Sequence, residues 1–118
     1  MSRRTDRLGD LVRAELSALL LREVKDPRVK LASVSAVELT ADLSHATVKV
    51  SVLGDESSRL AAVEALEHAR GFLRSELARR LRLRSTPELH FELDRGAEYS
   101  QRISDLLESL HDGRDESS

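Results

Sequence analysis

Apolar residues recur at helical spacing in three parts of the chain and at alternating positions in three others. Leu8, Leu11, Val12, Leu16, Leu19, Leu20 and Val24 form one broad stripe, so residues 5–24 read as an amphipathic helix. Thr5 or Asp6 supplies its cap, and Pro27 ends it by about Asp26, because a proline drives the residue before it out of helical geometry. Gly9 sits awkwardly near the start and reads as a frayed first turn. Residues 33–40 are rich in β-formers but alternate imperfectly, which leaves room for a bulge. Residues 46–53 alternate cleanly: Ala46, Val48, Val50 and Val52 face one way, Thr47, Lys49 and Ser51 the other. The polar connection 41–45 makes the two strands an antiparallel hairpin.

The stretch Leu60 to Arg84 organises the rest. Val63, Leu66 and Ala69 fall at helical spacing in its first half, and Leu73, Leu77 and Leu81 in its second. Between them lies Ala69-Arg70-Gly71. A glycine inside a helix costs about 1 kcal/mol relative to alanine, so two helices meeting at a tight bend are expected there, with Ala69 and Gly71 as its structural residues. Gly71 is expected to permit close approach of the two helices or to supply the bend's backbone geometry.

Pro87 stops the second of these helices. Leu89, Phe91 and Leu93 then alternate with Glu88, His90, Glu92 and Asp94 in a third strand. After Gly96 a last helix is expected, with Tyr99, Ile103, Leu106, Leu107 and Leu110 on one face. The order α-β-β-α-α-β-α predicts an α+β domain with helices packed on one face of a small sheet.

Charge changes this picture, because it is segregated. The net charge of −2 divides into +3 over residues 1–30, −4 over 31–69, +5 over 70–84 and −6 over 85–118. Such segregation points to a polar surface facing a charged partner. The chain has no cysteine, which excludes disulfides and thiolate metal sites and fits a reducing compartment. No apolar run exceeds four residues, so neither a secretory leader nor a membrane span is expected, and the protein is placed in the cytoplasm.

The chemistry of the chain is narrow. Phosphate-binding, nucleophile-elbow, dinucleotide and zinc-protease motifs are all missing. His45, His68, His90 and His111 fall on different elements without ligand spacing, so no metal site is expected. No enzymatic activity is expected. Only Phe72, Phe91 and Tyr99 are aromatic, too few for a base-stacking platform, and Phe91 and Tyr99 fall on apolar faces. Phe72 points away from the leucine seam, so it either packs beneath the bend or is the one exposed ring. Arginine contact with phosphates remains, and it recognises shape more than sequence. The candidates are Arg70, Arg74, Arg79, Arg80, Arg82 and Arg84, joined by Lys25, Arg28 and Lys30 after the first helix. At 100° per residue, Arg79 and Arg82 point away from the leucine seam, whereas Arg74 and Arg80 flank it. A flanking arginine can instead lay its stem over the core and hold a local carboxylate. The N-terminal Arg3, Arg4 and Arg7 are the alternative surface.

Four stretches together resemble the ribosome-binding factor A family. They are Glu23-Val-Lys-Asp-Pro-Arg-Val29, Val37-Glu-Leu-Thr-Ala-Asp-Leu-Ser-His-Ala-Thr-Val48, Ala69-Arg-Gly-Phe-Leu-Arg74, and Pro87-Glu-Leu-His-Phe91 with Arg102-Ile103 and Leu106-Leu107. They run in register from about residue 3 to residue 110. The resemblance implies a KH-domain-like fold of the second type, with a three-stranded sheet and an Ala-x-Gly bend in place of a GxxG loop. A single domain over residues 1–111 would precede a disordered acidic tail, 112–118.

For function, the resemblance implies binding to the immature small (30S) ribosomal subunit and its rRNA. It also implies a role in late maturation and 16S rRNA 5′-end processing, and in growth in the cold. It implies no cofactor, no small-molecule substrate and no membrane, and a monomer. Departures from the family pattern are confined to the turn before the final helix, where Gly96 is followed by serine only at Ser100. The alternative is a KH-like protein-interaction module whose basic helix docks an acidic protein partner.

Overall fold

A computed structural model of the chain describes residues 3–96 and Leu106. The elements are α1 (Arg3–Arg22), β1 (Ala32–Leu39), β2 (His45–Val52), α2 (Glu56–His68), α3 (Arg70–Leu81) and β3 (Glu88–Leu93), with a 3-10 turn over Pro27–Val29. The sheet order is β1-β2-β3. β1 and β2 are antiparallel, and β2 and β3 run parallel, joined by the α2–α3 crossover that a parallel pair requires. This is the expected α+β order. The expected last helix and the acidic tail fall outside the described residues, apart from Leu106.

β2 is central, and its clean alternation is realised: Ala46, Val48, Val50 and Val52 are buried beneath the helices. The imperfect alternation of β1 is a register shift between Val34 and Ala36. Ser35 is left over at the bulge, and its hydroxyl donates to the Lys49 carbonyl (3.2 Å) and the Asp94 carboxylate (2.7 Å). The bulge lets Val34, before it, and Leu39, after it, both reach the core.

α1 buries Val12, Leu16 and Leu19, a narrower stripe than the sequence pattern predicts, since Leu11 is 54% exposed and Leu8, Leu20 and Val24 are only half-buried. Gly9 is not frayed but buried within the helix. A Cβ there would lie 2.9 Å from the Val37 carbonyl oxygen, so the missing side chain is what lets α1 lie close on β1. In α2 the buried face is Ala62, Ala65 and Leu66, with Val63 only half-buried. Ala62, rather than the more hydrophobic Val63 beside it, is the residue that faces the core. Asp55 caps α2 by accepting from the Ser58 N–H at 2.8 Å.

The bend between α2 and α3 lies at the expected place, but its cause differs. Ala69 takes φ −88°, ψ 0° between the helices and carries the change of direction. Gly71 is exposed, and a Cβ there would meet nothing within 4 Å. The two helices do not approach each other through Gly71.

Two aspartates brace the loops. The Arg28 guanidinium donates to both Asp26 oxygens (2.7–3.1 Å), and this holds Asp26 at about 2, below the ordinary 3.8. In the β1–β2 turn Asp42 accepts from the Ser44 and Thr40 hydroxyls, each at 2.7 Å, and from the Ser44 N–H at 3.1 Å. Those bonds hold Asp42 at about 2 as well. A carboxyl depressed in the folded state stabilises above its unfolded value, and that contribution disappears as pH falls through the folded value. Asp42→Asn should therefore show a shallower loss of melting temperature than the parent between about pH 4 and pH 2. Identical slopes in the two proteins would contradict the assignment.

Candidate nucleic-acid interface

The nine basic residues singled out from the sequence divide by what they already hold. Arg74 crosses from α3 to the start of β3, donating to the Thr86 carbonyl (2.8 Å) and the Pro87 carbonyl (3.2 Å) and meeting Glu88 at 3.5 Å. Arg80 lies among three carboxylates, Glu76 (3.4 Å), Glu23 (3.7 Å) and Glu15 (3.8 Å), and ties α3 to α1. Arg28 is held by Asp26. These three stabilise the domain, as flanking arginines with local carboxylates are apt to do.

Arg70 pairs with Glu67 at 3.1 Å, and Arg79 with Glu76 at 2.5 Å, while remaining 69% exposed. Exposed pairs of this kind contribute about 0–1 kcal/mol, so a stronger anion can displace the carboxylate. Glu76 itself is held below the usual carboxylate range, first by the Arg79 hydrogen bond.

The side chains of Arg82, Arg84, Lys25 and Lys30 make no hydrogen bond or ion pair with the described residues. They sit at opposite ends of α3. Lys25 shares a shallow depression of about 310 Å³ with His68, Ala69 and Phe72 at the helix junction. Phe72 is 45% exposed there, which decides between packing beneath the bend and an exposed ring in favour of the second. Lys30 shares a neighbouring depression of about 450 Å³ with Lys25.

The other end holds more charge. Arg82 closes α3 in the left-handed conformation, φ 51°, ψ 45°, with the cap N–H bonded to the Ala78 carbonyl. That reversal carries Arg84 to the same side as the start of α1, where Arg4 and Arg7 lie one helical turn apart. All four arginines line a groove of about 810 Å³ between α1, the β1–β2 turn and the α3–β3 loop. Asp42 is the one acid on its wall, and its carboxylate is engaged by Ser44 and Thr40.

Sequence reasoning holds Arg4 and Arg7 apart from the basic helix as an alternative surface. The fold joins them to the end of that helix, at Arg82 and Arg84. The available signal is the three-residue spacing of Arg4 and Arg7 beside Leu8 and Leu11. What no pattern shows is that α1 begins where α3 ends.

The opposite side of the molecule differs in character. On the sheet face away from the helices, Glu38, Glu88 and Glu92 are exposed around Lys49, and Lys49 pairs with Glu38 at 3.3 Å. His45 and His90 stand side by side there, with ring nitrogens 2.9 Å apart. Among the described residues no group of three or more histidine, aspartate or glutamate side chains is placed to hold a metal ion, and no helix is long and apolar enough to cross a membrane.

A family model for ribosome-binding factor A matches residues 4–107. The chain belongs to the ribosome-binding factor A family. It is similar to the crystal structure of ribosome-binding factor A from Thermus thermophilus, at 33% identity and a TM-score of 0.69, over 77% of this chain and 97% of that one. The solution NMR structure of a candidate ribosome binding factor A from Thermotoga maritima is 36% identical, with a TM-score of 0.69, over 78% of this chain and 88% of its own. A homology model of the Thermus thermophilus factor, fitted into the cryo-EM map of a 30S complex, is 36% identical over 72% of this chain and 93% of its own, with a TM-score of 0.56. The family resemblance and the KH-like α+β architecture drawn from the sequence agree with these findings.

Proposed function

We propose that this protein binds the small ribosomal subunit and its precursor through rRNA. In that role it assists late maturation, including formation of the 16S rRNA 5′ end, and supports growth in the cold. It acts as a cytoplasmic monomer without cofactor or catalysis. Family membership supports the ribosomal role, as does the fitting of a relative into a 30S complex.

The observation that carries the reading to this chain is the gathering of Arg4, Arg7, Arg82 and Arg84 on one groove. Three other arginines are held by carboxylates or carbonyls, but these four have no acidic partner among the described residues. Unpaired guanidinium groups grouped on one surface are what phosphate neutralisation needs.

Co-sedimentation with small subunits purified from cells lacking the protein tests the proposal. Stoichiometric pelleting at low salt, lost as salt rises, is expected. Recovery of the protein only in the supernatant at low salt would refute it.

A further inference from the structure

The groove that gathers the four arginines has a second property that phosphate neutralisation alone does not require. Its floor is apolar: Leu8, Leu11, Leu43 and Leu83 line it, with Pro87 buried beneath. Leu11 points its side chain into solvent from α1 and is 54% exposed, although the same helix has a fully used core stripe. Leu43 is held in the left-handed region, φ 62°, by the turn that Asp42 braces, and this turn carries it to the groove wall. At about 810 Å³ the groove lies within the ~300–1,000 Å³ range of pockets that enclose organic ligands.

A-form duplex RNA meets proteins with phosphates and 2′-hydroxyls on a convex surface, and its bases are stacked inside. Such a duplex would use the arginines and leave the leucine floor uncovered. Unpaired RNA offers both halves of the match: phosphates for the rim, and flat base faces that leave water when laid on aliphatic or guanidinium surfaces. We infer that this groove, at the start of α1 and the end of α3, takes an unpaired stretch of RNA with its bases against the leucine floor and its phosphates on the arginines. The inference rests on the proposed rRNA-binding function, and it places the bases at the end of α3 remote from the helix junction. An acidic, apolar peptide would satisfy the same charge, and the chain's own residues 97–118, with six acids and two arginines, are such a sequence. RNA is favoured because a four-arginine rim against one engaged acid suits a regularly spaced polyanion.

Fluorescence anisotropy of the full chain with a short labelled single-stranded RNA, and with the same RNA annealed to its complement, tests this. The single strand should bind more tightly. Leu11→Asn, a change at an exposed position, should weaken single-strand binding about tenfold and leave duplex binding unchanged. Arg7→Glu should weaken both and flatten the salt dependence. Equal binding of duplex and single strand, or no effect of Leu11→Asn in a protein with an unaltered melting temperature, would overturn the inference. So would displacement of the RNA by a peptide of residues 97–118 at lower concentration than by unlabelled RNA. Co-sedimentation run alongside separates the two levels. A Leu11→Asn protein that still pellets with subunits and keeps its RNA affinity refutes the groove alone. A parent protein that does not pellet refutes the proposed function itself.

Discussion

Reversal of Arg82 and Arg84 to glutamate should lower affinity for small subunits by at least about 100-fold, on the expectation of roughly 1.5–3 kcal/mol for each charge-assisted hydrogen bond lost. The melting temperature should hardly move, because neither side chain has a partner among the described residues to lose. The salt dependence of binding should flatten by roughly 0.7–0.9 in slope for each phosphate contact removed. Arg82 needs a control, since it also occupies a left-handed backbone position that disfavours side chains. Arg82→Gly removes the charge while suiting that backbone, so it should weaken binding and leave stability equal or higher by about 0.5–1 kcal/mol. Arg79 is a poorer probe. It pairs with Glu76, and a glutamate there would repel that carboxylate as well as any phosphate. Reversal of Glu92, exposed on the far face of the sheet, should leave subunit binding intact. An equal loss from each reversed charge at the groove and at Glu92 would show that the long-range field, not the groove, governs binding.

The largest effect on stability is expected at Gly9. Gly9→Leu places a Cβ 2.9 Å from the Val37 carbonyl oxygen, a backbone atom fixed within β1, so α1 must lift from the sheet. The cost should be about 3 kcal/mol, which for a domain of this size lowers the melting temperature on the order of 15 °C. Gly71→Leu should be close to neutral or slightly stabilising, because its Cβ enters open space and a leucine favours the helix over glycine by up to about 1 kcal/mol. A greater loss at Gly71 than at Gly9 in thermal melts would reverse this account of the packing.

These two glycines show what a sequence can and cannot disclose. Periodicity locates α1, the hairpin, the α2–α3 pair and β3, because each buries one face and the buried face leaves its period in the chain. Even the bulge at Ser35 is legible as broken alternation. Periodicity is silent on distance between elements, so Gly9 reads as fraying and Gly71 as a structural residue of the bend, whereas Gly9 is the point of close approach and Gly71 faces open space. In the same way the pattern favours Val63 over Ala62 in α2, although Ala62 is the one that turns to the core. Helical geometry correctly sets Arg74 and Arg80 at the seam, but their carboxylates and carbonyls come largely from α1 and the start of β3. The groove itself is beyond reach of the linear pattern: Arg4 and Arg84 are separated by almost the whole described chain, and only the return of α3 toward the start of α1 makes them neighbours.

Hydroxyl-radical footprinting of the protein, free and bound to small subunits, tests the central claim most directly. Protection should concentrate on the side chains of Leu8, Leu11 and Leu83, which line the arginine groove, while His90 and Glu92 on the open sheet face keep their free reactivity. Protection of the sheet face with the groove leucines as reactive as in the free protein would contradict the account.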